Sequence, residues 1–106
     1  MDDLNALALE HLDKALAAPH GRSAHLLVHQ NVLRQTLIAL REGTALDEHE
    51  APQAASIQVL HGRVRLTAAS GDQVVETDGL VPIPSERHGL LALSDAAVLL
   101  TTVTGV

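Results

Sequence analysis

Apolar residues follow two rhythms along this chain, and the change comes at Pro19 to Gly21. From Asp3 to Ala18, the positions Leu4, Leu7, Ala8, Leu12, Ala15 and Leu16 recur at steps of three and four, which is the stripe of an amphipathic helix. Asp2 and Asp3 suit its start, where the helix dipole favours negative charge, and Pro19 and Gly21 stop it. A helix this short and alanine-rich persists only if it packs on something.

Beyond Gly21 the helical period disappears. Short runs rich in Val, Leu, Ile and Thr predict strands near Ala24–Val28, Val32–Leu40, Leu46–Glu50, Ala55–Leu60, Arg63–Ala68, Gln73–Thr77, Leu80–Ile83, Gly89–Leu93 and Ala97–Val103. Turn signals separate them at His61-Gly62, Ser70-Gly71-Asp72, Asp78-Gly79, Ser85-Glu86 and Ser94-Asp95. Many short strands at a spacing of ~8–12 residues suggest a sandwich or a closed barrel. No second helical stripe lies between them, so an α/β arrangement is not expected. The 106 residues divide into a helix with its connection, 1–22, and a β-barrel, 23–106.

Composition narrows the function classes. At 46% hydrophobic and 19% charged, the chain reads as an ordinary globular domain. The net charge of −6, with only 7 Lys and Arg, argues against nucleic acid, whose phosphates need clustered cations. There is no Phe, Tyr or Trp, so the core must be aliphatic, and no ring is present to stack on a base or a sugar. The absence of cysteine excludes disulfides, thiolate catalysis and thiolate metal sites. Met1-Asp2-Asp3 has no basic signal-peptide region, and no apolar run approaches the ~20 residues of a membrane span; a cytoplasmic protein is expected.

Two blocks carry candidate chemistry. In the first, Gly43 is followed after five residues by His49, and Gly62 closes the next strand; the second runs from Gly79 through Pro84-Ser85-Glu86 to His88. The pair resembles the two motifs of the cupin superfamily, over about Leu33 to Val103. The first motif reads Gly, five residues, His-x-His, three or four residues, Glu, six residues, Gly. The second reads Gly, about five residues, Pro-x-Gly, two residues, His. The resemblance implies an all-β fold, a double-stranded β-helix (jelly-roll) barrel with a short N-terminal helix. It also implies a cavity for a small molecule and, because small cupins are commonly dimers, a homodimer.

Position by position, the motif is only partly kept. His49 occupies the first histidine position, whereas the second histidine is Ala51 and the glutamate is Ala55. Pro-x-Gly is replaced by Pro84-Ser85-Glu86, and the segment to His88 is one residue tight. Of the four ligands that the family uses, His49 and His88 remain. Side chains alternate along a strand, which would put Asp47 on the face of His49 as a ligand or as a partner fixing its tautomer.

Two functions follow. The first is a non-catalytic small-molecule-binding cupin whose metal site has eroded, with Leu37, Ile57, Val59 and Leu91 as provisional cavity walls. The second is a metal-dependent enzyme, of the dioxygenase or isomerase kind found in the superfamily, holding iron, manganese, nickel or zinc on His49, His88 and Asp47. The two alanines favour the first.

Other polar residues read as structural. His11 and His20 are expected to be packing or surface residues of the helix, and His61 is expected to be solvated in a hairpin turn. His25 and His29 lie four apart on a strand and are not expected to face inward together. Ser85, His88 and Asp95 include the residue types of a catalytic triad, but no nucleophile elbow accompanies them. Arg63 and Arg65 alternate with Val64 and Leu66 and should face solvent.

Overall fold

The computed structural model describes residues 1–49 and 54–104. Its elements are α1 (Leu4–Ala17), β1 (Arg22–Gln30), β2 (Leu33–Leu40), β3 (Ala45–His49), β4 (Ala54–His61), β5 (Val64–Ala68), β6 (Gln73–Val75), β7 (Leu80–Pro82), β8 (His88–Ala92) and β9 (Ala96–Val103). Each strand overlaps one expected from the alternation. Asp3 caps α1, its carboxylate accepting a hydrogen bond from the Ala6 amide at 3.2 Å. The helix ends where Ala18, the residue before Pro19, turns extended.

The strands form two antiparallel sheets, in the order β1-β2-β9-β4-β7 and β3-β8-β5-β6. Their facing surfaces enclose the main core. Ile38, Leu40, Ile57, Val59 and Val98 come from the first sheet, and Val64, Leu66, Leu90 and Ala92 from the second. A smaller core lies on the outer face of the first sheet, where Ala8, Leu12 and Ala15 of α1 cover Leu37, Ala39 and Ala97. The helix therefore has its packing partner within the chain.

Two expected cavity walls face elsewhere. Leu37 faces the helix and is fully buried there, whereas its neighbour Ile38 faces the cavity. Leu91 alternates with the inward Leu90 and is only half-buried. Ile57 and Val59 do point inward.

Three register shifts interrupt the ladders, at Leu26/Val28, Leu46/His49 and Val59/His61. The first decides the placement of two histidines. Strict alternation puts residues four apart on one face, so alternation alone does not separate His25 from His29. The bulge does: His25 pairs with Leu37 on the helix-side face, and His29 pairs with Arg34 on the opposite one. No helix among the described residues is long and apolar enough to cross a membrane.

Candidate functional site

The space between the sheets is lined by Ile38, Leu46, Ile57, Leu66, Ile83 and neighbouring aliphatic residues, together with His88. Among the described residues His88 is its one ionisable side chain, and it is buried, with 4% of its surface exposed. Counted out to its mouth the space holds about 320 Å³, but the centre of a water-sized sphere can move through only about 20 Å³ of it. That is room for one or two waters. The interior is nearly filled by its own side chains.

His88 is held in place by its neighbours in the β7–β8 loop. Its Nδ1 lies 2.9 Å from the Glu86 carbonyl oxygen. A carbonyl only accepts, so Nδ1 carries a proton and is the donor in this bond. Glu86 is itself anchored: its Oε1 accepts from the Ser70 amide at 2.9 Å and from the Ser70 hydroxyl at 2.5 Å. Those bonds, the hydroxyl's first and the amide's second, hold the Glu86 carboxyl below the ordinary glutamate range. Sequence reasoning missed this latch, because Ser70 and Glu86 lie 16 residues apart in different loops and no spacing rule links them.

The latch predicts an acid titration. A carboxylate with a lowered folded-state pKa stabilises the fold above its unfolded value, and that contribution is lost as pH falls through the folded one. The Ser70 amide-proton shift, followed by NMR from pH 7 to 3, should therefore move with a midpoint below the ~4.3 of an ordinary glutamate. Glu86→Gln should abolish that titration, and a midpoint at or above the ordinary value would count against the latch.

His49 pairs with His88 across β3 and β8, so the two positions share a face of the ladder. The His49 side chain lies outside the described ones, and for Asp47 the structure gives its strand and its exposure. The register shifts between Leu46 and His49, so strict alternation does not run unbroken through Asp47, which is exposed. Ala55, at the glutamate position of the resemblance, faces the main core. Ala51 lies outside the described residues. The triad types do not assemble, since Asp95 lies beyond the far end of β8 from His88 and accepts from the Glu42 amide at 2.8 Å.

No family profile matches the sequence. No curated protein matches it either. Its backbone, however, superposes on many solved structures. A conserved protein of unknown function from Streptococcus pyogenes gives a TM-score of 0.75 at 22% identity, over 84% of this chain and 79% of that one. A cupin superfamily protein from Desulfitobacterium hafniense gives 0.73 at 14% identity, over 79% and 78%. The chain has the cupin fold. A variant of the salicylate 1,2-dioxygenase from Pseudoaminobacter salicylatoxidans contains the same cupin architecture, with a TM-score of 0.77 at 17% identity, over 92% of this chain but 34% of that one.

Cupin folds often hold metals, so the groups present were tested for fit. A metal cage needs at least three converging donors. Among the described residues no three histidine, aspartate or glutamate side chains are arranged to hold an ion. The inward residue on β4 at the glutamate position is an alanine, which has no donor atom. Among the described residues, the donors present do not fit a resident metal of the cupin kind.

Of the remaining sequence candidates, His11 is buried in the helix–sheet interface, whereas His20, His61 and Arg63 are exposed. Arg41 donates to the Ala18 carbonyl at the end of α1, a structural role.

Proposed function

We propose that this cupin fold is a binding module for a small aliphatic molecule bearing one polar group, with no resident metal. The observation that carries the reading is the cavity: among the described residues, aliphatic walls around one oriented imidazole. Apolar walls supply affinity through removal of surface from water, and one fixed polar group supplies orientation. His88, its Nδ1 donating to the Glu86 carbonyl, sets one oriented polar side chain among these aliphatic walls, which matches a ligand with one hydroxyl or amide group. The nearly filled interior limits such a ligand to a few heavy atoms.

The test is a ligand-observed NMR screen of small aliphatic alcohols and amides, with metal analysis of untagged protein and of His49→Ala and His88→Ala. Binding by metal-free protein that weakens about tenfold or more in His88→Ala is expected, as a hydrogen bond worth ~1–2 kcal/mol is lost. Stoichiometric metal that disappears in both variants would overturn the reading in favour of the metal-dependent enzyme. Protein must be quantified by peptide absorbance, because no aromatic side chain absorbs near 280 nm.

A homodimer is proposed on weaker support: β1 is an edge strand of the five-stranded sheet, and Leu26 on it is 46% exposed. Sedimentation equilibrium that fits a monomer up to ~100 μM, well above the dissociation constant of a specific dimer, would dismiss it.

A further inference from the structure

The interface between α1 and the outer face of the first sheet contains a buried histidine that the cavity does not use. His11 is 5% exposed, and it sits on the helix face made by Ala8, Leu12 and Ala15. Its Nδ1 lies 2.7 Å from the Ser23 hydroxyl on β1. The ring of His25, also on β1, is tilted against it with centroids 5.4 Å apart.

We propose that His11 makes the docking of α1 pH-dependent, so that protonation of its imidazole releases the helix from the sheet while the barrel stays folded. The surroundings favour the neutral ring. On the helix itself, Lys14 lies three residues on and Glu10 one residue back, and the two form an exposed ion pair at 3.6 Å. From β1 come the Ser23 hydroxyl and His25; β2 contributes Leu37 and Ala39, β9 contributes Ala97, and β4 contributes Leu60. Among the described residues, His61, exposed and opposite Ala97, is the other ionisable group of the sheet on that face, and Arg41 reaches the Ala18 carbonyl at the far end of the helix. No carboxylate among the described residues faces the ring from the sheet.

Burial above all, then the charge of Lys14, pushes the His11 pKa down; Glu10 opposes this, and His25 adds to it. A histidine whose docked pKa lies below its free value of ~6.5 takes up a proton on release. Docking is therefore at full strength above ~6.5 and weakens as pH falls below it.

The rest of the interface makes release feasible without global unfolding. The helix buries only Ala8, Leu12 and Ala15 beside His11, three small or medium side chains. The main core lies on the other side of the sheet and does not include them. Release bares Leu37, Ala39 and Ala97, with Leu27 and Leu60 at their margin.

Hydrogen exchange read by mass spectrometry and NMR, from pH 7.5 to 5.0, tests this on the full chain. Protection factors already correct for the intrinsic pH dependence of exchange. Those of the helix amides from Ala8 to Ala17 are expected to fall by up to about tenfold per pH unit below ~6.5, the limit for uptake of one proton. Those of β9 should hold. His11→Gln, which keeps a hydrogen-bonding group toward Ser23 but cannot take up a proton, should flatten the helix profile. If His11→Gln does not fold, His25→Gln, at an exposed position, should reduce the slope. A pH-independent helix, a slope unchanged in the variant that folds, or loss of β9 protection together with the helix would each overturn the proposal.

Discussion

Gly62→Ala is expected to destabilise the barrel by about 3 kcal/mol or more, and Gly43→Ala by about 1–2 kcal/mol. Both glycines have positive φ, 78° at Gly62 and 84° at Gly43, where any L side chain carries a backbone penalty. Their surroundings differ. A Cβ at Gly43 would meet nothing within 4 Å. A Cβ at Gly62 would collide with the Asp95 carbonyl and crowd the Ser94 hydroxyl and the Ala96 Cα, which leaves backbone on one side with nowhere to move.

That crowding comes from three turns meeting at one end of the barrel. The Arg63 amide donates to the Ser94 hydroxyl at 3.1 Å, the Leu93 amide to the Arg63 carbonyl at 2.9 Å, and the Thr77 hydroxyl to the Gly62 carbonyl at 2.8 Å. Moving Gly62 away from Asp95 would strain all three. Urea unfolding followed by far-UV circular dichroism measures the two costs, and equal costs would show that the turns yield. Asparagine tolerates the left-handed region, so Gly43→Asn should cost less than Gly43→Ala, while Gly62→Asn should be no better than Gly62→Ala.

These two glycines also mark the limit of what the sequence discloses. As members of one motif they look alike; only the fold shows one in open space and one wedged under a carbonyl. The strands were legible because turn residues fall between nearly all the runs. The faces were less so. In β2, Leu37-Ile38-Ala39-Leu40 is buried throughout, because the helix covers one side and the second sheet the other, so polarity does not report which residue faces the cavity. Leu37 was misplaced for that reason. The β3 register was hidden for another: a shift between Leu46 and His49 needs no particular side chain, so parity counted along the sequence does not reveal it. His88 was legible because its motif spacing places it at the start of a short inward strand.

Restoring the two donors that the family pattern has and this sequence lacks should create a metal site. Ala51→His with Ala55→Glu completes the family's ligand pattern around His49 and His88, and Ala55 already faces the core. The double variant is expected to bind a divalent first-row ion at least about a hundredfold more tightly than the parent chain, since four donors replace two. Stability should respond in two directions. Without metal, a carboxylate among Ile57, Val59 and Leu100 is desolvated, and the variant should melt below the parent. With metal at about 1,000 times its dissociation constant, binding to the folded state returns about 4 kcal/mol, enough to raise the melting temperature above the metal-free variant by ~10 °C or more. Calorimetric titration with Zn²⁺ and Ni²⁺ and thermal melts with and without chelator read both effects. A double variant that binds no better than the parent would mean that the cavity has repacked too far to accept a metal. A parent chain that binds as tightly as the variant would mean that a donor beyond the two motifs completes the site.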